Sequence, residues 1–154
     1  MPALNIRKKR RVKQGNVSPV CLNNRQKKRR LVLARLQRQA ARAFTLLAAT
    51  TKKGKSLPPR VEVILVTPRR IAALHEEFLD NPMPTDVITF HHGEIFVCPE
   101  IAEKQRGQLS LHNEVLTYII HGFLHLCGQK DHSLKEFKAM RREQERVLKK
   151  VLRV

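Results

Sequence analysis

His121 and His125 stand four residues apart in the run His-Gly-Phe-Leu-His. On a helix that spacing puts both imidazoles on one face, one turn apart. Neutral imidazole is a ligand for zinc, and two such rings can share an ion. A histidine pair alone is more often two ordinary surface or core side chains. Here, however, Gly128 follows and lets the chain turn sharply, and Asp131 and His132 come directly after it. Either of these can fold back as a third ligand. The one not used can support the site from outside the coordination sphere.

Three protein ligands leave one zinc position open, and water bound there has its pKa lowered to about 7. The expected chemistry is therefore hydrolysis by metal-activated water. A fourth protein ligand would close the site and make it structural, and Cys127 is the nearby residue able to do so. The H-E-x-x-H metalloproteases place their general base directly after the first histidine. That position is Gly122 here, so peptide hydrolysis by that route is unsupported. Glu114 precedes His121 by seven residues, two turns back along the same stripe and about 10.5 Å away axially. It is too distant to share the ion; it either lines a cleft or lies exposed on the helix surface.

The elements that must hold these residues follow from periodicity and breakers. Gln26–Ala49 repeats Leu33, Leu36, Ala40, Ala43 and Leu47 at helical steps. Leu4–Val12 is a weak extended segment and Gln14–Pro19 a loop. The β-branched run Val61–Val66 predicts a strand, after which Thr67 caps a helix that has Pro68 at its first position and runs to about Phe78. Val87–Phe90 and Glu94–Cys98 flank His91-His92-Gly93 as a hairpin. Helix is expected from Pro99 to Leu126, interrupted near Gly107 and ended by Gly128. Ser133 and Glu136 form a capping box for a last helix carrying Phe137, Met140, Val147, Leu148 and Val151. The order predicts an α+β fold: a small mixed β-sheet with helices packed on it, and the metal site at the end of a helix before a glycine turn. The chain length suits a single domain over residues 1–154, with a basic part (1–59) and a metal-binding part (60–154).

Charge is the strongest compositional signal. The 154 residues hold 31 Lys/Arg against 13 Asp/Glu, for a net charge of +18. Residues 1–60 carry 18 of the cations and no carboxylate, while the remainder is balanced. Such a field attracts a polyanion and releases its counterions. Nucleic acid is the expected partner, held by its phosphates through residues such as Arg29, Arg30, Lys52 and Lys53. With one Tyr and no Trp, base-stacking platforms are few. No apolar run reaches the roughly 20 residues of a membrane span, so no membrane partner is expected. Cys21, Cys98 and Cys127 form no CxxC pair and read as reduced thiols. An acid-free, Arg-rich start is also a transit-peptide feature, but the first 20 residues hold only Ser18 where serine richness is usual. A cytoplasmic location is expected.

The run HGFLHLCGQKDH resembles the HGxLHLxGxDH signature of the YbeY family of ribosomal RNA maturation factors. Pro84-Thr85-Asp86-Val87-Ile88-Thr89-Phe90 resembles that family's PTDVLSF segment, and Gly93-Glu94-Ile95 its GDI segment. The resemblance implies an α+β fold with one zinc ion in a cleft, and cleavage of single-stranded RNA. It also implies a role in small-subunit ribosomal RNA 3′-end maturation and ribosome quality control, with partners on the small ribosomal subunit. His121 and His125 match the first two metal histidines. Without a gap, Asp131 falls where the family has its third histidine; with a one-residue insertion, Asp131-His132 matches the family's Asp-His pair. The ungapped reading keeps the reach of the turn and is preferred. Two departures stand out: Phe78-Leu79-Asp80 lacks the arginine the family often has before PTDV, and Glu94 replaces its usual aspartate. The alternative is a non-enzymatic ribosome-assembly factor whose metal is structural.

Overall fold

In the computed structural model of the protein, residues 17–50 and 57–153 are described. The segments Leu4–Val12 and Gln14–Asn16, together with Lys52 and Lys53, lie outside them. The described elements run β1 (Val20–Asn24), α1 (Leu33–Thr50), β2 (Val61–Leu65), α2 (Pro68–Leu79), β3 (Val87–Phe90), β4 (Glu94–Val97), α3 (Pro99–Gln105), α4 (Leu111–Leu126) and α5 (Leu134–Leu152). The sheet order is β1-β2-β4-β3. β1, β2 and β4 are parallel, and β3 is antiparallel to β4 through the hairpin. This is the expected α+β architecture with a mixed sheet.

β2 explains its own sequence. A parallel strand covered on both faces reads as a nearly continuous apolar run. Val61, Val63 and Leu65 enter the large core beneath α1, α4 and α5. Ile64, and Val66 just beyond the strand, enter a smaller core under α2 with Ile71, Leu74, Ile88 and Phe96. β4 divides its side chains the same way, Ile95 and Val97 to one side and Phe96 to the other.

Two expectations are corrected. β1 falls where no strand was predicted, because Val-Cys-Leu-Asn-Asn lacks a clear alternation and ends in poor strand formers. It is an edge strand, and α1 covers its outer edge: Gln37 Oε1 accepts from Leu22 N at 2.8 Å, and Gln37 Nε2 donates to Val20 O. Helix α1 begins at Leu33, not Gln26. Gln26, 4% exposed, instead closes a turn, accepting from Arg29 N and donating to Arg29 O, both at 2.9 Å. The buried stripe of α1 is Leu36, Ala40, Ala43, Phe44 and Leu47, with Leu33 partly exposed.

α4 is buried on most of its circumference, held between α1, α5 and the sheet. Gly122 makes that closeness possible. A Cβ there would lie 2.7 Å from Ile95 Cδ1 and 2.9 Å from its Cγ2. The helix ends in a Schellman motif: Gly128, at φ +90°, donates to His125 O at 2.9 Å, and Gln129 N donates to Leu124 O at 3.0 Å. α5 starts in the expected capping box, with Ser133 N donating to Glu136 Oε1 and Glu136 N to Ser133 Oγ, each at 3.1 Å. The chain between these two caps carries Asp131.

Candidate metal centre

The last two turns of α4 and the connection after it bring three side chains together. His121 Nε2 and His125 Nε2 are 2.9 Å apart, and Asp131 Oδ2 lies 3.5 Å from each. All three are partly buried, and their candidate ligand atoms lie within 4.8 Å of one another. His132 is exposed and outside the group, because Ser133 commits to the helix cap and leaves the residue before it facing outward. Cys127 is buried at the helix end and is also outside the group. No disulfide joins the three cysteines.

The hydrogen bonds fix which nitrogen of each ring carries the proton. His125 Nδ1 lies 3.0 Å from the Gln129 carbonyl oxygen, the group that the glycine turn delivers. His121 Nδ1 lies 3.1 Å from Gln144 Oε1 on α5. Both partners are acceptors, so each Nδ1 is the donor. Both Nε2 atoms then present lone pairs to the same point, joined there by a carboxylate oxygen. Three acceptors facing one another without a proton between them repel, unless a cation sits among them. In a tetrahedral site with bonds of about 2.0–2.1 Å, ligand atoms stand about 3.3 Å apart. The observed separations straddle that value, so the donor set fits a divalent ion. Burial, and then the neighbouring His121, hold the His125 pKa below its ordinary value; Asp131 opposes this less strongly. The ring is kept neutral, as a ligand must be.

The group opens into a cleft of about 1020 Å³. His121 and Asp131 line it, together with Glu114, Tyr118 and Asp86. Glu114 is only 8% exposed, so it is a cleft carboxylate rather than a surface one. Burial raises its pKa and the nearby Asp86 adds to the effect, while the contact with the Tyr118 hydroxyl opposes it. Tyr118 Oη donates to Gln105 Oε1 at 2.6 Å, and burial followed by the Asp86 and Glu114 charges raises its pKa strongly. Asp86, from the Pro-Thr-Asp-Val run, starts β3 by accepting from Val87 N at 2.8 Å.

Arg29 and Arg30 do not line this cleft; Arg29 Nε pairs with Glu103 at 3.1 Å, and Arg30 is exposed. The cations that do line it are Arg106, Arg141 and Lys149. Sequence reasoning passed over these and Gln144, because their convergence depends on how α5 packs against α4. Phe137, expected in the core stripe of α5, is instead 49% exposed and faces the cleft.

Fold and site together define an α+β protein with a three-residue candidate metal centre at the C-terminal end of its central helix. A family model described as Endoribonuclease YbeY matches residues 21–152. An Elusimicrobium minutum protein named Endoribonuclease YbeY is 35% identical over 120 residues, which are 68% of this chain and 83% of that one. A Thermotoga petrophila protein of the same name is 40% identical over 87 residues, covering 51% of this chain and 57% of its own length. A solution structure of a Thermotoga maritima protein superposes with a TM-score of 0.60 at 28% identity, covering 86% of this chain and 88% of that one. The chain belongs to the YbeY family. Among the described residues, no helix is long and apolar enough to cross a membrane.

Proposed function

We propose that this chain is a zinc-dependent, single-strand-specific endoribonuclease that acts in the cytoplasm on the 3′ end of small-subunit ribosomal RNA and in ribosome quality control. Family membership supports endonucleolytic cleavage of RNA, since the matched relatives carry that name. The observation that carries the metal dependence is the convergence of His121 Nε2, His125 Nε2 and Asp131 Oδ2, with their lone pairs turned to one point.

These three residues would hold the ion. Gln144 and the Gln129 carbonyl keep both rings in the ligating tautomer, the outer-shell role that supports metal sites generally. When bound, a divalent ion supplies Lewis acidity and activates water at neutral pH. The cleft beside it receives the strand and restricts bulk water. Among the described residues the group has three members, which favours an open, catalytic site over the closed one of a structural metal.

The test is incubation of zinc-loaded protein with single-stranded RNA, alongside His121→Ala and a chelator control. Cleavage by wild type that both controls abolish supports the reading. Equal cleavage by wild type and His121→Ala rejects it. A structural metal would show itself differently, because chelation would unfold the domain instead of only silencing it.

A further inference from the structure

On helix α5, Met140, Val147, Leu148 and Val151 are buried against the core. Phe137, Arg141 and Lys149 flank that buried stripe and, with Met140 and Leu148, border the same cleft as the metal centre. Arg141 and Lys149 stand eight residues apart, about 12 Å along the helix axis, which spans about two steps of an extended strand. Arg106 stands on the α3–α4 connection and also lines the cleft, its Nη1 fixed by the Leu109 carbonyl at 2.9 Å. Arg141 pairs with Glu145 at 3.6 Å, with both side chains mostly exposed. An exposed pair of this kind contributes little and is easily given up to a phosphate.

Phe137 is the unusual member. A large aromatic ring, half exposed, lies one helical turn before Arg141 in a cleft that leads to the metal group. Cations that follow a backbone, with an aromatic face between them, are how single strands are held: phosphates on the cations and an unstacked base on the ring. A duplex keeps its bases paired and stacked and cannot offer that face.

We infer that α5 is the single-strand rail of this protein, Phe137 stacking a base of the RNA while Arg106, Arg141 and Lys149 hold its phosphates beside the metal centre. The inference rests on the RNA-cleaving reading of the site. It places strand selectivity on a residue whose sequence pattern pointed to the core, and phosphate contact away from Arg29 and Arg30.

The experiment uses the full chain in chelator, so that binding is measured without cleavage. Fluorescence anisotropy with a labelled 12-nucleotide single-stranded RNA is compared with a blunt duplex of the same length, for wild type, Phe137→Ala, Phe137→Leu and Phe137→Trp. Unchanged thermal melting establishes that each variant is folded. Phe137→Ala and Phe137→Leu are expected to weaken single-strand binding about ten-fold and Phe137→Trp to retain it, in line with base–aromatic stacking. Duplex binding is expected to be unaffected. Arg141→Ala and Lys149→Ala are expected to weaken binding to all single-stranded sequences and to reduce the salt slope by about 0.7 each. Single-strand binding unchanged in Phe137→Ala, as when that ring covers a protein partner, overturns the inference; so does an equal loss on duplex. Should wild type bind single strands through Phe137 yet cleave nothing when zinc-loaded, the endonuclease reading fails and the rail stands.

Discussion

Replacing Gly122 with alanine tests how tightly α4 is seated on the sheet. The new Cβ would meet Ile95 Cδ1, Cγ2 and Cγ1 at 2.7, 2.9 and 3.0 Å. Carbon atoms in contact rest at about 3.5–4.0 Å, so the helix must retreat, or Ile95 turn, by about 0.5–1 Å. Ile95 is fully buried and has little room to move. Overpacking of this kind costs about 1–3 kcal/mol. Alanine recovers up to about 1 kcal/mol over glycine in a helix interior. The net expectation is a loss of about 1 kcal/mol within a range of about 0–2 kcal/mol, which lowers Tm by about 2–4 °C at that central value for a chain of this size. Denaturant melts in chelator measure it without a contribution from metal. Ile95→Val removes Cδ1, the closest contact, and by itself costs about 0.5–1.5 kcal/mol. In the double variant the two losses should fall short of additivity by about 0.5–1 kcal/mol. Strictly additive effects in the double variant, or a Gly122→Ala protein more stable than wild type, would refute the packing argument. Zinc affinity should also fall, since His121 precedes Gly122 directly and His125 follows one turn on.

Three further outcomes are expected. Gln144→Leu removes the acceptor for His121 Nδ1 and should weaken zinc binding about 10–100-fold, read by competition with a chromophoric chelator. Asp131→Asn should weaken zinc binding at least as much, while His132→Ala changes it little; the reverse pattern would move the third ligand. Glu114, its pKa raised by burial, contributes stability that is complete below the unfolded carboxylate pKa and is lost as pH rises through the folded value. The Tm of Glu114→Gln should therefore gain on wild type between pH 4 and pH 7, and a constant difference would contradict this.

Much of this architecture was legible because local signals agreed with the tertiary ones. The capping box at Ser133, the Pro68 start of α2 and the glycine stop of α4 are short-range motifs whose hydrogen bonds stay within a few residues. The convergence of His121, His125 and Asp131 belongs with them, since one helix face and one turn bring them together. β1 was not legible because an edge strand with one buried residue needs no apolar pattern. The start of α1 was missed because residues 26–32 hold no glycine or proline to break a helix, while a buried glutamine holds that stretch in a turn. Gly122 gave grounds to exclude one chemistry from sequence, but its reason for being glycine lies across the core at Ile95. Phe137 sat in an apolar stripe, but it stands in the first turn of α5, half exposed at the cleft. The charge asymmetry pointed to a polyanion, yet the cations beside the centre come from the charge-balanced part of the chain.

Crystals of the protein soaked in zinc, with diffraction recorded at the zinc absorption edge, test the central claim directly. The result expected is one anomalous peak about 2.0–2.2 Å from His121 Nε2, His125 Nε2 and Asp131 Oδ2, with its remaining position turned toward the cleft. No peak between those atoms, or an ion enclosed by four protein ligands, would contradict it.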